Sequence, residues 1–137
     1  MVGRIEIRVP PVPSSVPSTR REVRAWLEAL PVDPDTRDDV LLVLSELVTN
    51  GVLHNGGEVI AVSASGNRAG VSLEVDTADR TNDALSRSPY RELSDASESG
   101  RGLALVAALA DSVVTVAGSG RRQVRCHLSA RPRSDRT

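Results

Sequence analysis

Apolar residues recur along this chain at two spacings, and the switches between them mark out its elements. Ile5, Ile7 and Val9 alternate with Arg4, Glu6 and Arg8, the two-residue period of a strand with one buried face. Pro10, Pro11, Pro13 and Pro17 then predict the end of that strand and a stiff connector. Beyond it Val23, Trp26, Leu27 and Leu30 share one side of a helix, which Ser18 or Thr19 can cap and which runs to about Leu30. Pro31 and Pro34 break the chain again. Asp35 is placed to open a second helix, since a carboxylate suits the positive end of the helix dipole. Val40, Val43, Leu44, Leu47, Val48 and Gly51 fall on one face of that helix, and Asn55-Gly56-Gly57 is a stop signal.

The shorter period then returns. Val59 to Ser65 reads as a strand, Gly66-Asn67-Arg68-Ala69-Gly70 as a turn, and Val71, Leu73 and Val75 as the returning strand of a hairpin. From Asp79 to Ser99 the chain is polar with few apolar anchors, which predicts a long mobile loop holding at most a short helix. Leu103, Val106, Ala107 and Ala110 form a third helical pattern behind Gly100-Arg101-Gly102. Val113, Val114 and Val116, then Gly118-Ser119-Gly120, then Val124, Cys126 and Leu128 make a second hairpin. This order implies an α/β (α+β) two-layer sandwich, a mixed and mainly antiparallel sheet with helices on one face. Residues 1–130 are expected to form a single domain and 131–137 a disordered polar tail.

Composition narrows the choices. At 137 residues the chain suits one domain, and Trp26 and Tyr90 are its only aromatic residues, so the core is aliphatic. A net charge of -1 gives no field toward nucleic acid or an anionic membrane. Cys126 stands alone, and His54 and His127 have no Cys or His at metal-site spacing. No apolar run has the length of a signal peptide's core or a membrane span, so the expectation is a soluble cytoplasmic protein.

Three segments carry candidate chemistry. Glu46, Asn50 and His54 are four residues apart and form a polar stripe on the second helix. Asparagine does not favour a helix interior, but its amide oxygen suits a hard cation such as Mg2+. A carboxylate one turn away can orient or deprotonate a hydroxyl. An ordinary solvated helix face would carry the same residues. Ser99-Gly100-Arg101-Gly102-Leu103 opens a helix, where glycines allow close backbone approach and free N–H groups attract phosphate. It is neither a P-loop, which needs a lysine this chain lacks, nor the dinucleotide fingerprint. Val75-Asp76-Thr77-Ala78-Asp79 ends a strand, where a carboxylate can accept a hydrogen bond from an adenine amino group or simply shape a turn.

Taken in order, these segments resemble the GHKL ATPases, which share the Bergerat ATP-binding fold. Glu46-Leu47-Val48-Thr49-Asn50 with His54, and Ser99 to Leu103 continuing to Ala110-Asp111, are most similar to the anti-sigma-factor serine kinases. The likeness runs from about Ile5 to Leu128. The resemblance implies that Asn50 holds Mg2+ and that Glu46 is the catalytic residue activating the attacking hydroxyl. It implies that ATP or ADP lies against Gly100, Arg101, Gly102 and Leu103 beneath a lid formed by the preceding loop. It further implies a serine/threonine-protein kinase that phosphorylates an anti-sigma-factor antagonist, sequesters a sigma factor, or does both. A homodimer is one assembly it allows.

The middle segment departs from the family. There an aspartate follows the last strand valine by two residues, often with glycines after it. In this chain Asp76 follows Val75 by one residue, and Thr77 holds the expected place. A shift of one residue moves a side chain to the other face of a sheet. A bulge would return Asp76 to the nucleotide, and Asp79 has the right parity but lies further along. The alternative to a kinase is therefore a nucleotide-weak protein-binding module of a partner-switching circuit. A third reading is an unrelated α/β domain in which all three segments are structural.

Overall fold

The computed structural model describes residues 3–54, 58–78, 91–93 and 101–130, with the backbone alone for 91–93 and 101–103. The elements are β1 (Gly3–Val9), α1 (Ser15–Glu28), α2 (Pro34–His54), β2 (Ile60–Asn67), β3 (Gly70–Ala78), β4 (Arg91–Leu93), α3 (Arg101–Leu109), β5 (Ser112–Gly118) and β6 (Arg121–Ser129). Asn55-Gly56-Gly57, Asp79, Gly100 and the tail from Arg131 lie outside the described residues.

The strands form one sheet in the order β1-β2-β3-β6-β5-β4. The two-layer α+β expectation holds, and every pairing between the described strands is antiparallel rather than mixed. Alternation assigns the faces. Ile7, Val62, Val75, Val124 and Thr115 form one cross-strand row, and all five are buried. The next row, Glu6, Ser63, Glu74, Arg125 and Val114, points the other way and is half-buried or exposed. The helices cover the first face. α2 packs on β3, β6 and β2, with α1 on one flank and α3 on the other. Leu27, Leu44, Ile60, Leu73 and Val106 fill the space between the layers, each nearly or wholly shielded from solvent. Fully burying a side chain of that size contributes roughly 1.5–3 kcal/mol, so this aliphatic layer sets the position of α2.

Proline placement corrects the predicted start of α1. It begins at Ser15 rather than after Pro17, so Pro17 sits in its first turn. Proline is tolerated there because first-turn N–H groups have no partner within the helix. Ser15 Oγ also donates to the Pro10 carbonyl at 2.7 Å and folds the connector against the helix start. α2 opens on Pro34 at its first position, with Asp35 in its first turn as expected and Asp33 before it as the cap. Asp33 accepts from Thr36 N at 3.0 Å and from Thr36 Oγ1 at 2.6 Å. A further difference is β4, which lies inside the segment read as a loop and pairs with β5. Three residues are too few to show a period. The β5–β6 turn has positive φ at Ser119 (55°) and Gly120 (75°), the form that matches strand twist in a two-residue hairpin.

Candidate functional site

α2 is the central helix, and its buried face ends in Gly51. A methyl group at Gly51 would lie 2.8 Å from Thr77 Cγ2 and 3.0 Å from Ile60 Cδ1. The bare Cα therefore lets the last turns of α2 close onto β2 and β3. Asn50 immediately precedes this contact, and Glu46 lies one turn back on the same helix. Both are half-buried, whereas His54, the last residue of α2, is exposed. The predicted stripe therefore divides into two sheltered groups and one solvated group. On the α1 side of α2, Arg20 Nη1 donates to Ser45 Oγ at 2.6 Å, and Ser45 Oγ donates to the Leu41 carbonyl at 2.8 Å. That tie fixes the rotation of α2 beside Glu46.

The strand-end segment resolves just as clearly. β3 pairs with β2 and β6 without interruption from Gly70 to Asp76, and with β6 on to Ala78, so no bulge intervenes. Asp76 consequently points to the bare face. Arg121 reaches its Oδ1 through both Nε and Nη2 at 2.7 Å, and Gln123 Nε2 donates to its Oδ2 at 3.1 Å. The expectation that Asp76 contacts a nucleotide beside Asn50 is thus corrected, because the sheet itself lies between them. Thr77 occupies the helix-covered face against Gly51. Directly across the ladder stands Arg122, also half-buried, with buried Ala117 beyond it. Arg122 was not among the candidates read from the sequence. Its even parity with Val124, Cys126 and Leu128 was the available signal.

Arg101, Gly102 and Leu103 form the first turn of α3. The opening N–H groups of a helix lack intrahelical acceptors and carry the positive end of its dipole, so they suit an anion. α3 packs against α2 and inserts Val106 into the shared core, which holds its start relative to the Glu46/Asn50 helix. Among the described residues no group of three His, Cys, Asp or Glu side chains could hold a metal. A cation held by the amide oxygen of Asn50 and by the anion of a ligand fits this donor set. Among the described residues no helix is long and apolar enough to cross a membrane.

The bare face carries an open concavity of about 400 Å3, lined in part by Arg4, Ser63, Glu74 and Arg125. Two pairs of its polar groups bind one another. Arg125 Nε meets Glu74 at 3.2 Å, and Ser72 Oγ lies 2.9 Å from His127 Nδ1. Cys126 faces the opposite, covered side, where burial pushes its thiol pKa up from 9.0 to about 12 and leaves it an unreactive core residue.

Comparison with known proteins agrees with this geometry. The family model described as a histidine kinase-like ATPase domain matches residues 9–127. The fold is similar to the crystal structure of the RsbU and RsbW domains of Rv1364c from Mycobacterium tuberculosis, with a TM-score of 0.70 at 20% identity. That match covers 95% of this chain and 33% of the other, so the chain spans about a third of the structure it resembles. No curated protein matches the chain in sequence.

Proposed function

The chain belongs to the histidine kinase-like ATPase domain family, and from that premise we propose that it is a Mg2+-dependent nucleotide-binding regulator with serine-kinase chemistry. The observation that carries this reading is the pair of half-buried polar side chains, Glu46 and Asn50, one turn apart on α2 where Gly51 seats the helix on the sheet. Asn50 supplies an amide oxygen for Mg2+, which when bound neutralises phosphate charge. Glu46 accepts the proton of an attacking hydroxyl. The N–H groups at the start of α3 receive the phosphates, with Gly102 allowing close approach. Phosphoryl transfer depends chiefly on positioning and charge, and this arrangement supplies both. The hydroxyl belongs to a serine of an anti-sigma-factor antagonist, and the same domain sequesters a sigma factor in the cytoplasm.

The test is calorimetric titration with Mg2+ and nucleoside triphosphate. Binding is expected to need Mg2+ and to weaken at least tenfold in Asn50→Ala, a loss of about 1.4 kcal/mol. Equal affinity in both proteins would sink the assignment of Asn50. Phosphate transfer to a partner serine is expected to fall in Glu46→Gln with nucleotide affinity retained.

One observation favours a second reading. The carboxylate of Asp76 is held on the bare face by Arg121 and Gln123. A module that binds its partner through surface alone needs no carboxylate in the cleft. Tight partner binding without nucleotide, together with no nucleotide binding, would select this reading over the kinase.

A further inference from the structure

The sheet ends on one side at β1, with no strand beyond it among the described residues. The pairing of β1 with β2 runs without a bulge from Gly3 to Val9, and no proline interrupts it. An edge strand of this kind offers a row of backbone groups to another chain.

Register decides which groups those are. Asn67 and Gly70 close the two-residue turn of the β2–β3 hairpin, and residues in that place form a hydrogen-bonded pair. Along an antiparallel ladder such pairs alternate, and each residue directs its N–H and C=O to one neighbouring strand only. Counting from Asn67, the odd residues of β2 bond to β3 and the even ones to β1. Gly3, Ile5, Ile7 and Val9 therefore bond to β2, and Arg4, Glu6 and Arg8 turn their backbone groups to the open edge. The side chains of those same three residues are exposed on the bare face and carry charges of both signs. Ile7 and Val9 are buried, and Ile5 half-buried, on the covered face.

A second copy of β1, antiparallel about a twofold axis normal to the sheet, must set even residues against even ones. Only then do the free backbone groups meet while the apolar side chains stay on the covered face. Centring on Arg4, Glu6 or Arg8 opposes like charges, which is destabilising. Centring on Ile5 or Ile7 sets Arg against Glu on both sides of the axis. The Ile7 register satisfies more groups. It brings Glu6 opposite Arg8 and Ile5 opposite Val9 on each side, with Ile7 against Ile7 between them. Arg8 has no ion pair among the described residues, whereas Arg4 already meets Glu6 at 3.2 Å.

We propose that β1 is a self-association edge, through which two copies of this chain pair from Ile5 to Val9 about an axis at Ile7. The two sheets become one, with the helices of both copies on the same side. The occupant is a second copy because the charge order of β1, read in reverse, is its own complement. A ladder this short buries little surface, so the dimer is weak and concentration-dependent. The inference is independent of what the cleft binds.

Sedimentation equilibrium of the whole chain over a range of concentrations tests it, with three variants beside the wild type. Arg8→Glu sets Glu against Glu on both sides of the axis, and Glu6→Arg sets Arg against Arg. Each is expected to weaken the dimer about tenfold. Glu6→Arg combined with Arg8→Glu restores opposite charges and is expected to recover most of the wild-type affinity. Both positions are exposed, so the fold is expected to persist, which circular dichroism checks. A wild-type chain that stays monomeric at every concentration overturns the inference. A dimer that neither single variant weakens lies on another surface and overturns it as well. Weakening by Glu6→Arg but not by Arg8→Glu, with no recovery in the double variant, moves the axis to Ile5 and overturns the register.

Discussion

Asp76 and Thr77 are neighbours in the chain, yet they live in different chemical worlds. The helix-covered face of the sheet is mainly aliphatic, with Thr77 and Arg122 among its few polar groups. The bare face is a lattice of Arg, Glu, Asp and Ser whose partners are one another: Arg4 with Glu6, Glu74 with Arg125, Asp76 with Arg121 and Gln123. The comparison teaches that residue type is a poor guide to role at a strand end. The carboxylate, chemically the better ligand, serves the outer surface, and the threonine packs against Gly51 on the covered face.

The sharpest way to break this contrast is to apply one truncation to both faces. Leu73→Ala and Glu74→Ala change adjacent residues of β3. Leu73 is wholly buried, so its loss is expected to destabilise the fold by about 3–5 kcal/mol in urea unfolding. Glu74→Ala is expected to cost less than about 1 kcal/mol, because its ion pair with Arg125 is largely solvated. Comparable losses would mean that the bare face is not a solvated surface.

A smaller effect tests the seat of α2. Gly51→Ala forces a methyl against Thr77 and Ile60 and is expected to cost about 1–3 kcal/mol. Adding Thr77→Ser removes the closer methyl and should recover part of that loss. If the double variant is no more stable than the single, the seat lies elsewhere.

Cys126 reports the dryness of the covered face through pH. Its folded pKa lies above the unfolded value, so the neutral thiol's contribution is complete below about pH 9 and is lost as pH rises toward the folded value of about 12. Stability is expected to fall through that window by on the order of 1 kcal/mol per pH unit. The slope should flatten in Cys126→Val.

The smallest expected change is the most telling about function. Asp76→Asn should lower stability by about 1 kcal/mol or less, since Arg121 is partly solvent-exposed. It should leave nucleotide affinity unchanged, because the residue faces away from the cleft. A clear loss of affinity would place Asp76 in the site and undo the comparison.

Much of this was legible in the sequence, for reasons that differ by element. Strand alternation marked β1, β2, β3, β5 and β6, and the same period raised the question of where Asp76 points. The helical face from Val40 to Gly51 was readable because six residues recur at helical spacing. The start of α1 was misread at Pro17, where proline is a poor stop signal because a first turn has no hydrogen bond to lose. The partners of Asp76 lie 45 and 47 residues away, and the contact of Gly51 with Thr77 spans a helix end and two strands. Pairings at such separations depend on sheet order and register, which no local pattern encodes.

The uninterrupted register of β3 also has an evolutionary meaning. Insertion of a single codon between Val75 and Asp76 would carry the aspartate to the helix-covered face beside Gly51 and turn the threonine out. Two strand ends of different chemistry would then stand one mutational step apart on the same scaffold, and lineages carrying this domain could cross between them without leaving the fold.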